Sequence, residues 1–165
     1  MESMTNEKRT AVLQALENGL TQEMGYPVKR NTEGGKEMLR FTAPLFEDGT
    51  GYVLIELCQL DYDEDFELFQ LYSTLIMEPG PGLDELRPAV NSWNLTSALG
   101  AYGIYEPLGQ LFHKYNVVVG LGDSPDMVVG QVLASLYIVM DEMESKLKDA
   151  IALSSGRLKF ADLSQ

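Results

Sequence analysis

The chain has 165 residues, 45% of them hydrophobic, and a net charge of −13. That is enough apolar material for one buried core, and too much negative charge to seek nucleic acid or an acidic membrane, because like charges repel. A single cysteine, Cys58, excludes an internal disulfide and a cysteine-based zinc cluster; inside an apolar strand it reads as a small core hydrophobe.

The first element is a helix over Thr5–Met24, with Val12, Leu13, Leu16, Leu20 and Met24 at helical spacing. Thr5 is its N-cap, and Gly25 followed by Pro27 is its stop. Strand chemistry follows. Pro27–Thr32 reads as a short edge segment closed by the turn at Gly34-Gly35, and Met38–Leu45 as a second strand ending near Pro44. Tyr52–Leu60 places Val53, Ile55 and Leu57 on one face and Glu56 on the other. Phe66–Met77 is apolar on both faces, which predicts a central strand, or one whose outer face is covered by a helix or a second subunit. This run lies within Phe41–Leu86, a stretch with eleven Asp or Glu and no Lys or Arg.

Gly80-Pro81-Gly82 breaks the chain before a helix over Asp84–Ala98, whose apolar stripe is Leu86, Val90 and Trp93. Pro88 fits only near the first turn, where a missing N–H costs little. Ala101–Tyr105 and Leu111–Val119 form a hairpin turned by Glu106-Pro107-Leu108-Gly109. The last helix carries the strongest signals: Ser124 as N-cap, Pro125 at the first helical position, and Asp126 facing the positive end of the dipole. Val129, Val132, Leu133, Leu136, Met140, Met143, Leu147 and Ile151 follow at three- and four-residue intervals as far as Ser154. These elements make a single α+β domain over residues 1–156, with an antiparallel sheet, helices mainly on one face, and a short tail over 157–165. Leu158, Phe160 and Leu163 are that tail's candidates for docking.

No catalytic motif survives inspection. Asp61-Tyr62-Asp63-Glu64-Asp65 opens like a calcium loop, but Phe66 and Tyr72 stand where Gly and the bidentate Glu belong. Gly120-Leu121-Gly122 is similar to a dinucleotide-binding loop, yet Pro125 replaces the third Gly and no βαβ unit follows. His113, the sole histidine, reads as a surface or half-buried structural residue. Asn94-Leu95-Thr96 matches a glycosylation acceptor, idle without export. Met1–Arg9 has no apolar core of a secretory signal, and no run of about 18 apolar residues occurs, so the cytoplasm is expected. Neither metal nor organic cofactor is expected. Trp93, beside Asn91 and Asn94, and the helix methionines Met140 and Met143 read first as core, with a contact surface as the alternative.

Val90-Asn91-Ser92-Trp93-Asn94, then a hairpin, then Ser124-Pro125-Asp126 opening a long helix, resembles the YbjN-like group, often described as bacterial sensory transduction regulators. That group is similar in fold to the type III secretion chaperones: helix, three strands, helix, two strands, helix. The resemblance covers about residues 8–150. It implies a small, acidic, non-enzymatic homodimer that holds an extended segment of a partner protein on its surface. The extra strand at Pro27–Thr32 and the turn Glu106-Pro107-Leu108-Gly109 depart from the usual pattern. The interface expected from the apolar supply is built on Leu86, Val90 and Trp93, with Leu71 and Leu75 of the long strand beneath them. The alternative expectation is a small-molecule sensor or enzyme using a pocket between sheet and helices.

Overall fold

A computed structural model describes residues 6–61 and 65–163. The expected cap Thr5 and the acidic turn residues 62–64 lie outside the described residues. In chain order the elements are α1 (Asn6–Asn18), β1 (Lys29–Glu33), β2 (Lys36–Pro44), β3 (Tyr52–Asp61), β4 (Phe66–Ile76), α2 (Leu83–Asn94), β5 (Ala101–Tyr105), β6 (Gln110–Gly120) and α3 (Pro125–Ser154). The six strands form one open antiparallel sheet in the order β1-β2-β3-β4-β6-β5, so the fold is α+β as the sequence predicts. No helix among the described residues is long and apolar enough to cross a membrane.

Period-2 chemistry sets the sheet's two faces. On β3, Val53, Ile55 and Leu57 are buried, and on β4 Phe69, Leu71 and Leu75 are buried, while the alternate positions are at least partly open over most of each strand. Each full burial of such a side chain contributes roughly 1.5–3 kcal/mol. The helices take the buried face. The two edge strands are protected differently: β1 reads Lys-Arg-Asn-Thr-Glu and is charged, whereas β5 carries no charge.

Contacts gather into two compact units. The first comprises the described parts of Met1–Ala43, Ile55–Leu71 and Asn116–Tyr137. Here Val12, Leu13, Leu16 and Leu20 of α1 are buried, and Tyr26 stacks on Phe41 with ring centroids 5.1 Å apart. After Asn18 the helix widens into a π turn over Gly19–Glu23, where Met24 N–H donates to Gly19 O at 3.2 Å. The helix expected over Thr5–Met24 thus ends in a π turn, and at Gly19 an added Cβ would come within 3.2 Å of the Leu133 side chain of α3. Gly34 and Gly35 both take positive φ, closing β1 on β2 with Glu33 opposite Lys36.

The second unit comprises Pro44–Leu54, Tyr72–Tyr115 and Ile138–Gln165, of which the last two residues are not described. Gly82 shows why the Gly-Pro-Gly breaker has this composition. Its N–H donates to Ser154 O at 2.9 Å, serving a carbonyl at the end of α3 that no helical N–H can reach. A Cβ on Gly82 would overlap the Leu153 carbonyl. Pro88 stands deeper in α2 than the first turn, because the helix begins at Leu83. Its ring leaves the Asp84 carbonyl without a helical donor, a loss water can repair on this exposed stretch. The hairpin turn forms as expected, Gly109 N–H donating to Glu106 O at 3.3 Å. The tail docks: Phe160 N–H donates to Glu85 Oε2 at 2.8 Å, and a 3₁₀ turn spans Phe160–Asp162.

Ser124 caps α3 as predicted, its Oγ accepting from Met127 N–H at 3.3 Å. The buried seam differs by one position from the expected one in places. Val128 and Val139 are buried, while Val129 and Met140 are only half-buried.

Candidate functional site

The residues expected to build a dimer interface, Leu86, Val90 and Trp93 with Leu71 and Leu75 beneath them, are all buried within the chain. This corrects the expectation, and the cause is phase. Leu71 and Leu75 occupy the positions of β4 that share the core face with Phe69, and the amphipathic stripe of α2 turns inward with them. Trp93, 6% exposed, meets Tyr102 edge-to-face at 5.5 Å. A cavity of about 280 Å³ lies beside it, lined by Ser92, Thr96, Lys146, Asp149 and the tail residues Phe160, Ala161 and Leu163.

Tyr102 continues the row inward to His113, whose ring lies 4.8 Å away. His113 is wholly buried on β6, deeper than the surface or half-buried position read from sequence. Its Nε2 lies 2.8 Å from Leu99 O, so that nitrogen carries the proton, and Nδ1 has no hydrogen-bond partner. Burial pushes the imidazole pKa down, outweighing the Leu99 carbonyl and the Glu142 carboxylate. Burial likewise pushes the Tyr102 phenol well up; its O–H donates to Glu142 O at 3.2 Å. This aromatic row is buried, with Trp93 bordering the cavity at one end. Its work is to hold α2, β5, β6 and α3 together.

A second polar group sits in the first unit. Glu67 of β4 is only 2% exposed, accepts from Arg9 Nη2 at 3.1 Å, and accepts from the Gln59 carboxamide. Arg9 and Gln59 also line a cavity of about 360 Å³ with Thr10, Leu13, Lys36 and Glu37, roofed by the Gly34-Gly35 turn. Sequence periodicity had no means of finding it, since its donors come from α1, the β1–β2 turn and β3.

The opposite face of the sheet is the site with the plainest physical signature. In the first unit, Phe66 and Leu68 of β4 lie beside Asn116 and Val118 of β6 around an open depression of about 390 Å³. Gln70 Nε2 donates to Asn116 Oδ1 at 3.2 Å and braces one end. Val118 is 59% exposed and Phe66 45%. The signal in the sequence was the apolar character of Phe66–Met77 on both faces: one face is core, and this is the other.

Cys58 also belongs to the outward-facing positions of β3, half-buried rather than in the core. Burial raises its thiol pKa, with Lys36 opposing, so the thiol is not an activated nucleophile. Among the described residues, no group of three or more His, Cys, Asp or Glu side chains is placed to hold a metal ion.

No protein-family model matches this chain, and no curated protein matches it.

Proposed function

We propose that this chain is a non-enzymatic, protein-binding homodimer, chaperone-like or regulatory, that holds a segment of a partner protein on the open face of its sheet. The observation that carries this reading is the open apolar depression lined by Phe66, Leu68 and Val118, in which Val118 is 59% exposed, with Asn116 able to bond a peptide group at its margin. Apolar side chains left in water favour an occupant that buries them. A chain of net charge −13 repels nucleic acid and anionic membrane and favours a partner segment with basic flanks. The resemblance to the YbjN-like group and the secretion chaperones supports the same reading, and with it a bacterial cytoplasm as the compartment. Neither metal nor cofactor has a role in this scheme.

The test is a comparative capture from bacterial lysate with the wild-type chain and Val118→Glu, read by mass spectrometry. A protein retained by wild type and lost from Val118→Glu is the expected result. Equal retention by both chains would refute the sheet face as the binding surface.

A second reading, a small-molecule sensor or enzyme, is favoured by one observation: the 360 Å³ cavity lined by Arg9, Lys36 and Gln59 above the buried Glu67. Small carboxylates screened by thermal shift on wild type and Lys36→Glu decide it. A stabilisation that Lys36→Glu abolishes supports this reading, and no stabilisation removes it.

A further inference from the structure

We infer that the homodimer of the proposed reading, on which this inference rests, forms by antiparallel pairing of α3 with α3 of a second copy, through Met127, Gly130, Ala134 and Tyr137. These residues recur at three- and four-residue intervals and share one outward stripe of the helix. Met127 is 54% exposed and Tyr137 64%, and a Cβ on Gly130 would meet nothing within 4 Å.

Charge points to a second copy as the occupant. Two chains of net charge −13 repel, so they associate only through a surface from which charge is absent. From Met127 to Met140 the chain has no Asp, Glu, Lys or Arg, and Asp126 and Asp141 bound that run. An acidic helix face would serve a basic partner; this uncharged one serves another like itself.

The pattern is also self-complementary. Met127 and Tyr137 are equally distant from position 132, and so are Gly130 and Ala134. A two-fold axis near position 132 therefore sets the small pair against the small pair of the second copy, and Met127 against Tyr137 at each end. An isologous contact needs a self-complementary patch, and this spacing supplies one. Small residues at the centre let the helix backbones approach closely, while the large end residues bury most of the apolar area.

Size-exclusion chromatography with light scattering at micromolar concentration tests this with wild type and Ala134→Glu. Wild type is expected at twice the 18.3 kDa chain mass, and Ala134→Glu at the single-chain mass. If the variant stays dimeric, the α3 interface is overturned while the homodimer reading stands. If wild type is monomeric, both fall. A second measurement guards against misfolding of the variant. In a Cys58→Ser background, Gly130→Cys and Ala134→Cys chains are mixed under oxidant. A cross-linked dimer from the mixture, in excess of either chain alone, is expected, and its absence would overturn the pairing.

Discussion

The carboxamide of Asn94 engages both backbone groups of Tyr102: its Oδ1 accepts from Tyr102 N–H at 2.7 Å, and its Nδ2 donates to Tyr102 O at 2.9 Å. A side chain at the end of α2 thus occupies the place of a neighbouring strand on the outer edge of β5. Tyr102 is consequently fixed where its ring meets both Trp93 and His113. It also blunts the one sheet edge that has no charge of its own.

Asn94→Ala should lower stability by about 1–3 kcal/mol, the range for stranding buried backbone groups. It should also promote concentration-dependent self-association along β5. Urea denaturation and light scattering at several concentrations measure the two effects. An unchanged denaturation midpoint would show that the edge closure is incidental.

His113 predicts a pH dependence whose sign follows from burial. Its folded-state pKa lies below the ordinary imidazole value of about 6.5, so the unfolded chain binds the proton more readily. Its contribution to stability is therefore full above that value and is lost as pH falls toward the folded-state pKa. Stability measured in urea should decline as pH falls below about 6.5. His113→Gln, which keeps a donor for Leu99 O, should flatten that decline. An equal decline in both proteins would assign it to carboxylates.

Gly82→Ala forces a methyl group, fixed to its own backbone, into the backbone carbonyl of Leu153. Neither can step aside as a flexible side chain would. A loss of about 3 kcal/mol or more is expected, beyond the usual effect of a point substitution. Gly122→Ala, where nothing lies within 4 Å, is the control and should be nearly silent in the same thermal melts.

Arg9→Ala removes the cation facing a carboxylate that is 2% exposed. Arg9 itself is about a quarter exposed, so part of its charge is screened, and the expected cost is about 2–3 kcal/mol rather than the full penalty of a stranded buried charge. Arg87→Ala breaks an exposed pair with Glu106 and should leave the denaturation midpoint unchanged. A similar loss for both would mean that burial of Glu67 is not what gives its pair weight.

The order of elements was legible in the sequence because period, caps and breakers are local properties. Ser124-Pro125 announces α3 and Gly34-Gly35 announces the first hairpin without reference to any other part of the chain. Partnership is not local, and there the reading stopped. Phe66–Ile76 is apolar on both faces, so its pattern alone does not tell which face the helices take. An interface expected on Leu86, Val90 and Trp93 with Leu71 and Leu75 beneath them drew on side chains that are buried in the core. The tasks of Asn94 and His113 depend on the register of β5 against β6, in which Tyr102 faces His113. The Arg9, Gln59 and Glu67 group depends on three elements meeting. Each of these is a tertiary fact, and no short window of residues encodes it.

Site-specific photo-cross-linking in bacterial cells tests the proposed seat of a partner protein on the open sheet face. A photoreactive residue at position 118, on the exposed face of β6, should yield a cross-link to a partner protein. The same residue at Glu144, exposed on α3, should not. Capture of the same partner with equal yield from both positions, or from neither, would contradict the account.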